Sequence, residues 1–456
     1  MQVKQEALYE SMNVAIGFVL VLGILILVHE WGHFIVARFF GVRVDVFSIG
    51  FGPRLFGWKR GATDYRVSAV PLGGYVRMAG QDLSDIDAGE QKPTGAPDEL
   101  MSKKRWQRAL ISLAGPVVNL IFPLFLLTGY FVVKGNPYPK YMDEPLVILS
   151  LPKDSPLNKV GVEPGDRIVS LNGLSNPTWW NIRNVEFGKG IAGKRFQIRF
   201  EHQGEIHSAE VMASGMQEPD LLFGYPPNKP IVGSAERDKP AYRAGLRRDD
   251  VIQSINGQAI HNWQEMVTAI QSSRGKPIHT TVRRKNQTLS FTITPVSDKN
   301  DKGEPTWIIG IRPGQEYSFR RVGVMQAVTT STDFTVSGTW QVIDIVGKLI
   351  TGKVAAKQLQ SVIGIANEAG QAVQEGTFAV ITLMAVLSLN LGVLNLLPIP
   401  ILDGGNILLL AMEGIRRRDF SLSFKERFVQ VGLVFLLVLF AYVMYNDVMR
   451  LLPIHS

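Results

Sequence analysis

The stretch that decides the fold runs from Val14 to Phe40 and reads VAIGFVLVLGILILVHEWGHFIVARFF. A helix that spans a lipid bilayer needs about 20 predominantly apolar residues, and this run is long enough. Three ionisable side chains within five residues, His29, Glu30 and His33, interrupt its second half, ahead of Arg38 near its end. An ionisable group inside a membrane is costly and usually marks a functional site. The stretch therefore predicts a membrane-spanning helix that carries functional residues.

Three further stretches are long enough to span a bilayer and contain no charged residue: 109–133, 377–402 and 428–446. The first apolar run could instead be a cleaved signal peptide. However, only Lys4 precedes that run and no small-residue cleavage site follows it, so an uncleaved span is the better interpretation. The sequence predicts an α-helical polytopic membrane protein with four transmembrane helices.

The overall composition agrees with a membrane protein and excludes several other classes. The 456 residues contain no cysteine, which excludes disulfide scaffolds, thiol catalysis, iron–sulfur clusters and cysteine-ligated zinc. Only 19% of the residues are charged, which argues against a largely disordered chain. The net charge of +8 comes largely from basic residues beside the apolar stretches. The predicted partner is therefore a lipid bilayer and not nucleic acid.

The loops that flank the spans predict their orientation. Twelve Lys and Arg residues lie from Arg38 to Arg108, between the first two spans, and five lie between the last two. The terminal tails offer only Lys4 and Arg450. The positive-inside rule places both basic loops in the cytoplasm and both termini outside. The long region 134–375 then lies outside as well, in the periplasm if this is an inner-membrane protein of a Gram-negative cell.

The outer region contains an internal repeat. Residues 156–173 read P-x4-G-x3-G-D-x-I-x2-L-N-G, and residues 240–257 largely restate this pattern 84 residues later. Each copy predicts a helical turn, a short strand and an Asn-Gly hairpin turn. Two copies are too few for a solenoid, so two tandem α+β domains are predicted, at 135–221 and 222–316. The pattern resembles PDZ domains of bacterial proteases, which bind extended peptides along a strand edge; spacers without a ligand are the alternative.

Two other segments have a recognisable character. In segment 41–107, Val44–Val46 and Arg66–Val70 resemble strands and Leu72–Tyr75 supplies a turn, which predicts a β-hairpin. In segment 317–376, apolar residues at three- and four-residue steps predict an amphipathic helical region. This region could lie on the outer membrane surface, pack on the bundle or serve as a helical linker.

The motif that carries chemistry is His29-Glu30-Trp31-Gly32-His33, an H-E-x-x-H sequence. Residues i and i+4 share one face of a helix, so the two imidazoles can bind one metal ion. Glu30 is adjacent and can reach a metal-bound water as general base. The alternative is a pair of packed core histidines, which the cost of burying three ionisable groups in a span disfavours.

A catalytic zinc ion usually takes three protein ligands and keeps one position for water. The chain has no cysteine, and its other histidines lie in the outer repeats or the tail. The third ligand is therefore expected to be a carboxylate near the membrane, with Asp403 favoured and Glu413 as the rival. The predicted topology puts His29, His33 and Asp403 on the cytoplasmic side of the membrane core, which supports one shared site.

Two further motifs point to a known family. Residues 395–404 read N-x-x-P-x-P-x-x-D-G, and residues 115–119 read G-x-x-x-N. Together with the H-E-x-x-H motif, they resemble the site-2 protease family of intramembrane zinc metalloproteases. The resemblance implies zinc bound by His29, His33 and Asp403, with Glu30 activating the water. It also implies that Asn395 and Asn119 position the substrate or stabilise an oxyanion, although a buried Asn can simply bridge helices.

The resemblance further implies a substrate and roles for the accessory segments. The substrate would be a single-span membrane protein of the anti-sigma-factor type, already trimmed outside, in regulated intramembrane proteolysis of the envelope stress response. Remnant signal peptides are a second substrate class. The β-hairpin would re-enter the membrane and clamp the substrate as an added strand, or would be an ordinary cytoplasmic hairpin. The outer domains would reject untrimmed substrates.

The predicted organisation divides the chain into ten segments. They are 1–40 (tail and first span), 41–107 (β segment), 108–134 (second span), 135–221 and 222–316 (PDZ-like domains), 317–376 (amphipathic region), 377–403 (third span), 404–427 (cytoplasmic loop), 428–447 (fourth span) and 448–456 (tail). Three other functions stay open on sequence grounds: a non-proteolytic peptide-binding scaffold, a membrane zinc protease with a glutamate as third ligand, and a metal transporter.

Overall fold

The computed structural model describes residues 2–81, 94–152, 154–182, 195–213, 222–224, 226–236, 239–299, 305–314, 316–353 and 362–451. The predicted domain boundary at 221, part of the predicted amphipathic region (354–361) and the tail beyond Leu451 lie outside these residues. The chain forms two compact units. The first contains residues 1–135 and 321–456, and the second contains residues 136–320.

The described residues form ten α-helices. In chain order they are α1 (Gln2–Phe39), α2 (Arg105–Lys134), α3 (Pro156–Lys159), α4 (Pro240–Ala244), α5 (Trp263–Ser272), α6 (Val324–Ile350), α7 (Val362–Glu375), α8 (Thr377–Asn395), α9 (Asp403–Arg416) and α10 (Leu422–Leu451). Four of them contain stretches long and apolar enough to cross a membrane: Val14–Phe39, Arg105–Lys134, Thr377–Asn395 and Ser423–Tyr445. The four predicted spans are thus present as helices.

The described residues also form sixteen β-strands. They are β1 (Val44–Arg60), β2 (Thr63–Met78), β3 (Asn136–Pro139), β4 (Arg167–Leu171), β5 (Leu174–Ser175), β6 (Arg195–His202), β7 (Glu205–Met212), β8 (Val232–Ala235), β9 (Val251–Ile255), β10 (Gln258–Ala259), β11 (Ile278–Arg284), β12 (Gln287–Ile293), β13 (Val296–Lys299), β14 (Pro305–Ile308), β15 (Ile311–Pro313) and β16 (Tyr317–Arg320). The first two belong to the helical unit, and the others to the second unit.

Strands β1 and β2 form the predicted hairpin, which folds back on itself. Ile49 pairs with Val67 on one side and with Gly74 on the other, so the start of β1 lies between the two halves of β2. The base of the hairpin is buried with α1 and α2 in one apolar cluster, to which Val44 and Val76 contribute. This packing brings the last part of β2 beside α1.

The second unit contains two similar four-stranded sheets. Their strand orders are β5-β4-β6-β7 and β10-β9-β11-β12, so corresponding strands occupy corresponding places. In both sheets the predicted Asn-Gly turn is present, since Asn172-Gly173 and Asn256-Gly257 have positive φ angles. Positive φ at both central residues is the type I′ geometry that closes a two-residue hairpin. Each sheet covers an apolar core of its own, one around Trp179 and the other around Met266.

Candidate metal centre

Two elements bring three potential metal ligands together. His29 and His33 lie one turn apart on α1, and Asp403 is the first residue of α9. The His29 Nε2 atom lies 3.2 Å from an Asp403 carboxylate oxygen, and the His33 Nε2 atom lies 3.4 Å from the other oxygen. The two Nε2 atoms are 3.2 Å apart. Among the described residues, this is the one group of three or more such side chains close enough to hold a metal ion.

The break between α8 and α9 sets the position of Asp403. Helix α8 ends at Asn395, eight residues before Asp403, because Pro398 and Pro400 remove backbone donors from the intervening segment. Helix α9 then starts against that segment. A Cβ atom on Gly404 or Gly405 would overlap backbone carbonyl groups of the break, so glycine is required at both places. This explains the D-G part of the motif in steric terms.

The spacing and the hydrogen bonds of the site fit a zinc ion. Ligand atoms arranged tetrahedrally at about 2.1 Å from zinc lie about 3.4 Å from one another, close to the observed separations. The His33 Nδ1 atom donates a hydrogen bond to the Ile111 carbonyl at 2.7 Å, which leaves the Nε2 lone pair free. Two imidazole nitrogens and one carboxylate are a donor set that catalytic zinc uses.

Glu30 and Asn395 face the same space as the three potential ligands. A cavity of about 410 Å³ is lined by His29, Glu30, His33, Asn395 and Asp403. Strand β2 forms part of the cavity wall. A Cβ atom on Gly74 would lie 3.6 Å from the Glu30 Cγ atom, and Val76 lines the cavity together with Glu30. The general-base candidate therefore projects from α1 toward the hairpin.

Asn119 lies behind His29, away from the cavity. Its side-chain nitrogen is 3.1 Å from the His29 Nδ1 atom, and the residue is completely buried. Ser388 of α8 donates a hydrogen bond to the Asn119 backbone carbonyl at 2.7 Å. Asn395 instead approaches His29 from the cavity side, with its nitrogen 3.5 Å from Nε2. The structure thus brings all six predicted site residues together. The two asparagines, however, face different nitrogens of His29, Asn119 facing Nδ1 and Asn395 facing Nε2.

Glu413, the rival third ligand, has different partners. Its carboxylate is completely buried and lies 3.2 Å from the Lys425 ammonium nitrogen and 3.6 Å from the Arg108 guanidinium. It also accepts a hydrogen bond from the Phe420 backbone amide. Glu413 lines the cavity but does not belong to the group formed by His29, His33 and Asp403. Its negative charge is compensated by cations and not by the metal centre.

An exposed ion pair joins the first residue of α2, Arg105, to Asp419, which lies between α9 and α10. Arg105 donates two hydrogen bonds to one carboxylate oxygen of Asp419, at 2.9 and 2.6 Å. These bonds and the guanidinium charge hold the pKa of Asp419 below its ordinary value. Because the Asp419 side chain is half exposed, water screens this pair much more than it screens Glu413.

The sequence did not predict how three residues, two of them within the quoted motifs, position the ligands. Gly32 of α1 faces α2, and a Cβ atom there would lie 2.6 Å from the Ala114 carbonyl oxygen. Gly115 lies against both imidazoles, and a Cβ atom on it would lie 2.8 Å from the His29 Cε1 atom. Ile111 acts through its backbone carbonyl, which has no side-chain signature. The two glycines could have been found as small residues that face each other in adjacent spans.

The chain is similar to known proteins over most of its length. The sequence profile of peptidase family M50 matches residues 17–439. The regulator of sigma E protease of Salmonella typhi is 31% identical over 460 residues, which cover 95% of this chain and 98% of that protein. The regulator of sigma-E protease RseP of Escherichia coli K12 has the same identity, over the same number of residues and with the same coverage of both chains. A Vibrio cholerae protein whose name classes it as a zinc metalloprotease is 32% identical over 462 residues, covering 96% of this chain and 98% of its own length.

One solved structure is also similar to part of the chain. The PDZ domain of the SdrC-like protein from Listeria monocytogenes is 26% identical to this chain and gives a TM-score of 0.17. It corresponds to 20% of this chain and 90% of that structure.

Proposed function

The chain belongs to peptidase family M50, the site-2 proteases, and is a zinc metalloprotease of the membrane; on this premise we propose that it hydrolyses a peptide bond within the transmembrane segment of a single-span protein. The observation that carries the proposal is the placement of the potential ligands and Glu30. They line one cavity among helices long and apolar enough to cross a membrane. A substrate that reaches this cavity would meet the site at membrane depth.

We propose the following roles for the residues of the site. His29, His33 and Asp403 hold the zinc ion. Zinc, when bound, makes a water molecule more acidic and polarises the scissile carbonyl group. The Glu30 carboxylate takes a proton from the attacking water and delivers it to the nitrogen of the leaving amine. The Asn395 amide, which faces the cavity, donates a hydrogen bond to the substrate carbonyl oxygen as negative charge develops on it.

The substrate class is supported by the relatives. Those from Salmonella typhi and Escherichia coli are named as regulators of sigma E, and they align with nearly the whole of this chain. We propose that the substrate is a membrane-anchored anti-sigma factor, trimmed outside before it enters the cavity, in the envelope stress response. Remnant signal peptides, which are also short single spans, are the second proposed class.

The proposed location is the bacterial inner membrane. The basic loops between the first two and the last two spans support a topology with the active site toward the cytoplasm. The termini and the second unit then lie in the periplasm. Within that unit, the two similar sheets support two PDZ-like domains in tandem. We propose that these domains hinder the approach of untrimmed substrates.

A substrate helix must unwind before it can be cleaved, because its carbonyl groups are hydrogen-bonded within the helix. Strand β2 lies beside Glu30 and lines the cavity with Tyr75, Val76 and Met78. We propose that the unwound substrate adds to this part of the hairpin as an extra strand, which presents an extended peptide to the metal centre.

Cleavage by purified protein in detergent tests the proposed function. The substrate is a trimmed single-span protein of the anti-sigma-factor type, and wild type is compared with Glu30→Gln. We expect cleavage by wild type alone and bound zinc in both proteins, because Gln can fill the space of Glu but cannot accept the proton. Equal cleavage by both proteins would indicate a contaminating protease and would favour the scaffold interpretation.

A further inference from the structure

The surroundings of Asn119 do not match those of a group that contacts a substrate. The side chain is completely buried, whereas Asn395 lines the cavity. Asn119 does not line that cavity. Its nitrogen faces the His29 Nδ1 atom at 3.1 Å, and its buried Oδ1 atom has no hydrogen-bond partner among the described residues. A buried amide oxygen without a partner is unusual and calls for a physical reason.

The chemistry of the imidazole ring indicates which amide atom of Asn119 must face His29. A neutral imidazole carries its proton on one nitrogen and a lone pair on the other. The Nε2 atom of His29 faces Asp403 and His33, so this atom must carry the lone pair if His29 is to bind a metal. The proton then lies on Nδ1 and requires an acceptor. Asn119 is the residue that faces Nδ1, and its oxygen is the acceptor that it can offer.

The second histidine shows the same arrangement with a different acceptor. The His33 Nδ1 atom donates to the Ile111 backbone carbonyl at 2.7 Å, which leaves Nε2 free for the metal. Ile111 and Asn119 both belong to α2. One helix therefore orients both imidazoles, one through a backbone oxygen and the other through a side chain. Only the second acceptor can be removed by mutation.

We propose that Asn119 is a positioning residue that fixes the tautomer and ring orientation of His29. In this role the Asn119 amide lies the other way round, so that Oδ1 accepts the hydrogen bond from Nδ1–H and the NH2 group takes the place that Oδ1 has in the structure. The proposal rests on the proposed metal ligation by His29. It replaces the oxyanion role that the motif resemblance implied for Asn119, and it leaves that role to Asn395.

The test measures zinc binding to full-length protein in detergent by competition with a chromophoric chelator. Asn119→Leu keeps the number and branching of the side-chain heavy atoms but has no acceptor, whereas Asn119→Asp keeps an acceptor at the same place. We expect Asn119→Leu to weaken zinc binding about 10- to 100-fold and Asn119→Asp to retain the wild-type affinity within about threefold. Cobalt-substituted protein should show an altered visible spectrum for Asn119→Leu and a near wild-type spectrum for Asn119→Asp.

Kinetics at saturating zinc separate positioning from contact with the reacting atoms. A positioning role predicts that Asn119→Leu recovers kcat to within about tenfold of wild type once zinc is saturating. Loss of an oxyanion donor would instead lower kcat about 100- to 1,000-fold at any zinc concentration. Ser388→Ala is the matched control, since it removes a buried hydroxyl that bonds the Asn119 backbone without touching His29. It should bind zinc as wild type does.

The outcomes distinguish the two proposals. If wild type bound no zinc, the metal ligation and this inference would both be wrong. If wild type bound zinc and Asn119→Leu bound it equally tightly, or if Asn119→Asp failed to restore binding, only the positioning role would be wrong. Should Asn119→Leu not fold, as judged by size-exclusion profile and thermal unfolding, Asn119→Ala provides the same comparison with Asn119→Asp.

Discussion

Gly115 of α2 lies directly against His33 of α1, so that a Cβ atom built on Gly115 would overlap the His33 Nε2 atom. The same nitrogen lies 3.4 Å from an Asp403 carboxylate oxygen. The absence of a side chain at position 115 therefore creates the space in which the imidazole and a bound metal can lie. A small residue that permits close helix approach is common in membrane proteins, and here it lies at the metal centre itself.

Gly115→Ala should consequently weaken zinc binding strongly while the fold persists. The added methyl group must displace the His33 ring. Loss of a group that orients a ligand already lowers metal affinity by up to about 100-fold, so we expect zinc affinity to fall about 100-fold or more when the ligand itself is displaced. Zinc content by atomic absorption after dialysis against chelator measures the loss. Gly129→Ala is the matched control. Gly129 lies on the same helix, and a Cβ atom there would meet nothing within 4 Å. Normal zinc content in Gly115→Ala would contradict the steric argument.

The two acidic candidates for third ligand are separated by zinc content and stability. Asp403→Ala should lose bound zinc and cleavage, because the carboxylate lies beside both Nε2 atoms. Glu413→Ala should keep zinc in the folded fraction but lower the free energy of unfolding by about 3–5 kcal/mol, since it leaves the buried Arg108 charge without its partner.

Asp419→Asn is the control for Glu413→Ala. It breaks the exposed ion pair between Asp419 and Arg105 and should lower the free energy of unfolding by only about 0–1 kcal/mol. Denaturation in detergent with and without zinc measures both changes. If Glu413→Ala lost its zinc while Asp403→Ala kept it, the proposed ligand assignment would be wrong.

The sequence predicted the elements of this site more fully than their contacts. The spacing of His29 and His33 follows from helix periodicity, and the hairpin and the repeated Asn-Gly turns follow from local turn chemistry. In contrast, the contact of Gly115 with the imidazoles and the Ile111 carbonyl acceptor depend on how α1 and α2 pack. Glu413 was a candidate ligand on sequence grounds because its partners, Lys425 and Arg108, are brought to it only by the fold.

The hairpin clamp is tested at Gly73. This residue has a φ angle of +149°, and a Cβ atom on it would overlap the Phe51 ring. Proline cannot adopt that φ angle, so Gly73→Pro should distort the part of β2 that lies beside Glu30. We expect cleavage to fall about tenfold or more, as for misplacement of a bound substrate, with zinc content unchanged. Gly74→Pro should act in the same way.

Gly61→Asn is the control for the clamp, because it lies in the hairpin turn, has a φ angle of +63° that Asn tolerates, and would place its Cβ in open space. It should cleave substrate as wild type does. Unchanged turnover by Gly73→Pro would remove the clamp from the mechanism.

The filtering role of the second unit is tested by a deletion that preserves its base. Strands β3 and β16 pair with each other, and the Lys140 backbone amide continues the ladder to the Glu316 carbonyl. Replacing residues 141–315 by a short glycine-rich turn should therefore keep β3 paired with β16, where the chain leaves the first unit and returns to it. If the PDZ-like domains exclude untrimmed substrates, this variant should cleave an untrimmed single-span substrate at a rate within about tenfold of that for the trimmed one, while the full chain cleaves only the latter. The same deletion with Glu30→Gln shows whether the cleavage comes from this active site. A deletion variant that cleaves the trimmed substrate but leaves the untrimmed one intact would show that selection for trimming lies elsewhere.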